Sequence, residues 1–295
     1  MKKSFILLHI SILLAGLTGI FGKLITLDAF YLSFYRLLIA TGLLVLLMAF
    51  TKRFKDFTWT THTTKTTFNG FLLALHWIFF YASIKFSNVS VGVICFCLTG
   101  VFTALLSPLI NKKKVSYSEL GLSALNILGI SLIFQLDTSF RTGIILGIFS
   151  SITIALFSVI NEKLGKKADP IQTTTLQMFG GSIFMALALP IYMLITNEGI
   201  AIPNMSDSVN LFLLSSFCTL GIYLLINEVL KTISAFTVNL SYNLEPIYSI
   251  IIAIVWFGEG QELGLGFYLG VTCILLSLVL QMYNVIFPKK LAKNT

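Results

Sequence analysis

Charged residues are scarce in this sequence and make up only 11 % of its 295 residues, whereas hydrophobic residues make up 56 %. A mean hydropathy of +0.92 is too high for a soluble domain, in which about a quarter of the residues are normally charged. The composition therefore predicts an integral membrane protein. Its apolar stretches run for about 20 residues without strict alternation, which is typical of membrane-spanning helices and not of barrel strands.

The motifs of membrane enzymes and nucleotide-driven pumps are also missing. The sequence contains no HExxH, no GxSG and no GxxxxGK[ST]. Its four cysteines fall inside apolar segments and form neither a disulfide framework nor a CxxC zinc pattern. These absences argue against an enzyme, and they predict neither a cofactor nor a metal site. The net charge of +8 does not indicate nucleic-acid binding, because the basic residues form short clusters between apolar runs.

Ten apolar segments are long enough to span a bilayer at about 1.5 Å per residue. The sequence thus predicts an all-α integral membrane protein with a lipid bilayer around it. The basic start of the chain resembles a signal peptide, but the apolar stretch continues without a polar cleavage region, which favours a retained first helix. The predicted spans are Phe5–Ile25, Phe30–Phe50, Phe68–Phe86, Val89–Ile110, Ser118–Phe134, Thr142–Ile160, Ile171–Thr196, Val209–Leu230, Phe236–Phe257 and Leu263–Ile286.

The distribution of basic residues predicts the orientation of these spans. If the N-terminus is cytoplasmic, 16 of the 20 Lys and Arg fall in cytoplasmic segments. Lys23, Lys85 and Arg141 fall on the other side, and Arg36 lies within a span. By the positive-inside rule, both termini are cytoplasmic in the cell (inner) membrane.

An internal repeat relates the two halves of the chain. A shift of 146 residues aligns Ser83–Lys113 with Leu230–Glu259 without a gap after the first residue. The alignment predicts two five-helix repeats, residues 1–138 and 139–295. Because five is odd, the two repeats enter the membrane from opposite sides, as inverted repeats do. In the first half, Gly100 stands where the second half has Pro246, and Lys113 stands where it has Glu259.

This layout resembles the EamA branch of the drug/metabolite transporter superfamily. Ten helices, two inverted halves and cytoplasmic ends are common to both. The local features of the resemblance are Lys23 at the end of the first span, Phe34–Arg36 at the start of the second, Pro246 followed by Glu259 in the ninth, and Gly264, Gly266 and Gly270 at the start of the tenth.

Arg36 and Glu245 lie well inside predicted spans, where a charge is costly and usually functional. Arg36 lies roughly two turns below the outer surface; it could bind a substrate carboxylate or phosphate, or form a structural ion pair. Glu245 is deeper, and it could carry a proton, hold a substrate ammonium group, or pair with Arg36 or Lys231. Pro246 lacks a backbone donor and predicts a helix break at this point, so that the helix must face a polar interior.

The third span adds candidate aromatic residues. His76, Trp77 and Tyr81 could form an aromatic box for a substrate side chain or an organic cation, or they could be ordinary packing.

The ninth span adds amide and hydroxyl groups on the helix of Glu245. Asn239, Tyr242 and Asn243 are predicted to line a cavity, since Asn239 and Tyr242 share a face with Pro246. Glu228 and Lys231 lie at the preceding cytoplasmic turn, where they form a possible gate or a surface ion pair.

By the resemblance, the expected function is secondary transport of a small polar metabolite, exported by alternating access around a cavity in the middle of the membrane. An amino acid would suit the site, with its carboxylate at Arg36 and its ammonium group at Glu245. Carriers of phosphorylated sugars, nucleotide sugars or organic cations are alternatives, as is a membrane sensor or scaffold that transports nothing. The glycine motifs of the tenth span permit a homodimer.

Overall fold

The structure, a computed structural model, describes residues 2–55, 57–112, 114–134, 141–165, 168–246, 248 and 265–286. Every regular element in these ranges is helical, in agreement with the predicted fold class. A π-helix (Leu214–Gly221) joins α9 to α10, and a 3-10 turn (Tyr242–Leu244) follows α11. The α-helices are α1 (Lys2–Leu24), α2 (Ala29–Phe50), α3 (Thr61–Phe86), α4 (Val89–Phe96), α5 (Thr99–Asn111), α6 (Tyr117–Phe134), α7 (Arg141–Gly165), α8 (Pro170–Thr196), α9 (Met205–Leu213), α10 (Ile222–Val229), α11 (Ala235–Ser241) and α12 (Leu265–Ile286).

Seven helical stretches of the described part are long and apolar enough to cross a membrane. Large apolar side chains such as Phe50, Leu187 and Leu194 are exposed on their outer surfaces, as expected for contact with lipid. The seven stretches indicate a multi-pass membrane protein, and a total of ten spans stays a prediction. They are Lys2–Leu24, Ala29–Phe50, Thr61–Phe86, Val91–Asn111, Arg141–Gly165, Pro170–Thr196 and Met205–Val229.

The predicted ninth span is described only at its start. Residues 249–257 lie outside the described residues, as do Lys113, Glu259, Glu262 and Gly264. At Pro246, the sequence predicts an unpaired carbonyl on Tyr242. In the structure, the backbone amide of Glu245 donates to this carbonyl. A tighter 3-10 bond therefore replaces the one that the proline cannot make.

Two helices begin and break at positions that the sequence repeat makes equivalent. The side chain of Asn88 caps α4 by accepting from the amide of Val91 at 2.8 Å. The side chain of Ser234, 146 residues later, caps α11 by accepting from the amide of Thr237 at 3.2 Å. Regular α-helix then stops at Phe96 and at Ser241. The two halves thus share local structure in the register that the sequence alignment predicts, while their inverted orientation stays a prediction.

Two glycines allow α3 and α8 to cross closely. A Cβ atom on Gly70 would lie 1.9 Å from the carbonyl oxygen of Gln177, and one on Gly180 would lie 1.8 Å from that of Thr67. Any side chain here would collide with backbone, so glycine is required at both positions. This crossing brings the first half of the chain against the second.

Hydrogen bonds join the two halves at one end of the bundle, here called the basic end because Arg53 and Lys231 lie there. Arg53 forms an ion pair with Asp169. The hydroxyl of Thr232 donates to that of Ser4 at 2.8 Å.

The other end, here called the opposite end, is joined in the same way. Asp207 is buried and accepts two bonds from Thr26, from its amide at 2.8 Å and its hydroxyl at 2.5 Å. The hydroxyl of Tyr31 donates to the carbonyl of Gly199 at 2.9 Å. The two halves are therefore in contact at both ends of the bundle.

Candidate functional site

A cavity of about 60 Å³ lies between the two halves. One water needs about 15 Å³ by this measure, so the cavity has room for roughly four waters or a small metabolite. Its wall is mostly apolar, with one basic and one acidic side chain. The lining residues are Ala15, Thr18, Arg36, His76, Trp77, Phe80, Phe96, Ile154, Phe157, Ser158, Ile222, Tyr223, Ile226, Val238, Asn239, Tyr242 and Glu245.

Arg36 is the cation of this wall, and its side chain is held on three sides. Only 1 % of the residue is exposed. Its Nε donates to the hydroxyl of Thr219 and its Nη1 to that of Tyr81, both at 2.7 Å. The guanidinium carbon lies 3.7 Å from the centroid of the Trp77 ring, a cation–π contact. Two of the five guanidinium N–H groups are used in these bonds, which leaves donors for a bound anionic group.

The partner Thr219 comes from the π-helix, an element that the sequence did not indicate. Its hydroxyl also donates to the carbonyl of Leu214 at 3.0 Å, a spacing of five residues. Ser215, in the same turn, donates to the carbonyl of Arg36 at 3.3 Å. A π-helical turn often marks a functional site. Here it ties Arg36 of the first half to the second half at both side chain and backbone.

Glu245 is the anion of the wall. It is 4 % exposed and follows directly on the 3-10 turn. No hydrogen bond or ion pair of its carboxylate is found among the described residues. Arg36 lines the same cavity as this carboxyl group. A basic and an acidic side chain therefore face a common space without direct contact between them.

The breaks in the two repeat-related helices meet at the cavity. Phe96 ends α4 and Tyr242 follows α11, and their rings pack edge to face with centroids 6.0 Å apart. The Tyr242 hydroxyl donates to that of Ser11 at 3.0 Å. Sequence reasoning named Tyr242 and missed Phe96, although the repeat alignment pairs the two. Discontinuous helices of this kind form the substrate sites of many transporters.

Asn239 lies at the side of the cavity that is nearer the basic end. The hydroxyl of Ser158 donates to the Asn239 side-chain oxygen at 3.2 Å, and the Asn239 amide donates to the hydroxyl of Thr103 at 2.8 Å. The amide thus joins α7 to α5 through α11.

The third-span residues form an aromatic wall. His76 is buried, and its Nδ1 lies 2.8 Å from the hydroxyl and 3.1 Å from the carbonyl oxygen of Ser150. Its ring packs beside Phe80 and Phe96. Tyr81 lies behind Arg36 and does not line the cavity, so that its observed role is to hold the guanidinium.

Besides Tyr81, four predicted site residues do not line this cavity, namely Asn243, Pro246, Glu228 and Lys231. Asn243 is buried, and neither polar atom of its side chain has a hydrogen-bond partner within the described ranges. Pro246 is buried beside Glu245. Lys231 donates to Glu228 at 2.8 Å as a partly exposed pair three residues apart, which matches the surface ion pair considered above.

A larger cavity of about 560 Å³ lies at the opposite end. Among its lining residues are Asp28, Phe30, Lys85 and Tyr192. Lys85 donates to the carbonyl of Ile25 at 2.6 Å, at the end of α1. This space lies on the side of the membrane away from the basic end, and it holds both a cation and an anion.

Comparison with known protein families gives a match over nearly the whole chain. The EamA-like transporter family matches residues 2–135 and 141–283, which is nearly the whole chain in two parts.

Individual relatives are also described as transporters. The uncharacterized transporter YxxF of Bacillus subtilis is 24 % identical over 270 residues, which cover 86 % of this chain and 82 % of the relative. The uncharacterized transporter YyaM of the same organism is 21 % identical over 304 residues and covers 96 % of both chains. One solved crystal structure has the same fold, with a TM-score of 0.73 at 12 % identity over 95 % of this chain and 98 % of its own.

Proposed function

The chain belongs to the EamA-like transporter family, and we propose that its central cavity binds a small polar metabolite that carries both an amino and a carboxyl group. The family and the relatives make the protein a membrane transporter and not an enzyme. The proposed cargo class is amino acids, and the proposed direction is export.

The observation that supports this cargo is the presence of a basic and an acidic side chain on one cavity wall. Arg36 keeps unused N–H donors, and Glu245 has no direct partner in the described structure. Burying unpaired charges is costly, so a ligand that pairs with both is favoured. A zwitterion with a few non-hydrogen atoms matches the cavity in both charge and size.

Two alternatives fit the cavity less well. A phosphorylated or nucleotide sugar needs several converging cations, whereas Arg36 is the one cation among the cavity-lining residues that the structure describes. An organic cation would be repelled by the guanidinium of Arg36, which lies on the cavity wall and also covers the face of Trp77. A scaffold would have no need for these two side chains in a cavity, and a sensor would bind the same ligand without giving counterflow.

The proposed mechanism is alternating access by two inverted five-helix repeats. The contacts between the halves at the basic end and at the opposite end would break in turn, opening the cavity to one side at a time. The larger cavity at the opposite end provides a release path. In the proposed orientation, the basic end with both termini is cytoplasmic and the protein lies in the inner membrane.

Counterflow in proteoliposomes tests the proposal. Liposomes that contain the purified protein are loaded with an unlabelled amino acid, and uptake of the same amino acid in labelled form is measured. The measurement is repeated for a panel of amino acids. We expect uptake above empty liposomes for at least one of them. Glu245→Gln should lower it by about 10- to 100-fold, the equivalent of losing a hydrogen bond to a charged group.

Exposed Glu198 provides the control, since Glu198→Gln removes an equal charge outside the cavity and should transport normally. If no amino acid gives counterflow while a phosphorylated sugar or an organic cation does, the zwitterion assignment is wrong. Full activity of Glu245→Gln would remove Glu245 from the binding site.

A further inference from the structure

Another buried carboxylate lies between the cavity and the basic end. Glu162, in the last turn of α7, is only 7 % exposed. Its Oε2 accepts one hydrogen bond, from the backbone amide of Ala235 at 3.1 Å. It forms no ion pair with the described basic residues. One donor satisfies only a fraction of the acceptor capacity of an ionised carboxylate, which can accept about four bonds.

The position of Glu162 follows from two helices that line the cavity. Ser158 is one turn before it on α7, and Asn239 is one turn after Ala235 on α11. Ser158 and Asn239 both line the cavity and are bonded to each other at 3.2 Å. The carboxylate of Glu162 therefore lies about 6 Å, one helical turn, beyond this bond on the side of the basic end.

The neighbouring polar contacts are made by neutral groups. Asn161 donates to the Asn227 side-chain oxygen at 2.8 Å, and Gln177 donates to that of Asn161 at 2.9 Å. All three residues are buried. A bond to one backbone amide could likewise be accepted by the neutral side chain of glutamine. Capping α11 explains an acceptor at position 162 but does not by itself explain a charge.

We propose that Glu162 is a binding site for the ammonium group of the cargo on the path between the basic end and the central cavity. The cargo would pair with Glu162 first and reach Glu245 when the Ser158–Asn239 bond opens. This inference rests on the proposed function, because it assumes an amine-bearing cargo. It assigns to Glu162 a contact with cargo that precedes the contacts in the cavity.

The first test measures binding and does not depend on transport. The probe is ethylammonium chloride, and the reference is an equal concentration of sodium chloride. Thermal unfolding is followed in detergent for Glu245→Gln and for the double variant with Glu162→Gln. We expect ethylammonium to raise the unfolding midpoint of the single variant and not that of the double variant. Equal shifts in both would overturn the proposal.

The second test measures transport from each side of the membrane. For a labelled amino acid that the wild type carries, Glu162→Gln should raise KM about tenfold or more from the basic end, with little change from the opposite end. Glu119→Gln is the matched control, since it removes an acidic group in the first turn of α6, at the same membrane face. An unchanged KM for Glu162→Gln would refute the proposal.

Glu162→Ala separates charge from helix capping. If only Glu162→Ala impairs transport and lowers the unfolding midpoint, while Glu162→Gln matches the wild type in both tests, Glu162 is a cap and the proposal is wrong. If wild-type protein transports no amino acid, the proposed function fails, and the ethylammonium measurement still decides whether Glu162 binds an ammonium group.

Discussion

Phe96 and Tyr242 are equivalent residues of the two sequence repeats, and their rings are in contact, with centroids 6.0 Å apart, at the wall of the cavity. The two rings come from different halves of the chain, so their contact lies on the boundary between the halves. Each residue also lies where its helix breaks. The cavity is therefore built at the junction of the repeats, and the two helix breaks supply part of its wall.

This contact leads to a prediction for Tyr242. Tyr242→Phe keeps the ring packing and loses only the hydroxyl bond to Ser11, so we expect near-normal transport and a loss of stability of about 1 kcal/mol. Tyr242→Ala removes the ring and should reduce transport strongly, because the wall beside Phe96 is lost. Counterflow and thermal unfolding in detergent measure the two effects. Equal transport by the two variants would show that the ring does not shape the cavity.

Trp77 is predicted to act on transport through Arg36. Trp77→Leu removes the cation–π contact, which contributes about 0.5 to 2 kcal/mol, and should raise KM roughly 2- to 30-fold for a substrate with a carboxylate. The control is Trp59→Leu, because Trp59 is exposed outside the bundle. An unchanged KM in Trp77→Leu would separate Trp77 from substrate binding.

Thr219 is predicted to position the guanidinium. Thr219→Val has nearly the same shape but leaves Nε of Arg36 without its acceptor, at a cost of about 1 to 3 kcal/mol. Thr219→Ser restores the hydroxyl and should restore transport. The ratio of the KM values of these two variants measures the contribution of the hydroxyl to substrate binding at nearly constant packing. If valine and serine behave alike, the hydroxyl has no part in positioning Arg36.

Part of this site follows from the sequence for a clear physical reason. Arg36 and Glu245 stand out because a charge in an apolar span is rare. The register of the repeat is visible because two segments of the sequence align without gaps. The π-helix is not visible, since its residues have no distinctive pattern and their hydrogen-bond register depends on tertiary contacts such as that of Thr219 with Arg36. Glu162 was also missed, because it lies next to Lys163 at a predicted helix end and reads as surface charge.

The close crossing of α3 and α8 gives a prediction about stability alone. Gly180→Ala would place a methyl group 1.8 Å from the carbonyl oxygen of Thr67, so the helices must separate or the fold must fail. Gly121→Ala is the matched control, because nothing lies within 4 Å of its Cβ position in α6, and alanine favours a helix by about 1 kcal/mol over glycine. We expect a clearly lower unfolding midpoint for Gly180→Ala and an equal or higher one for Gly121→Ala. The same substitution should thus have opposite effects at two helical glycines, and similar midpoints for both variants would mean that the two halves do not pack as closely as the structure shows.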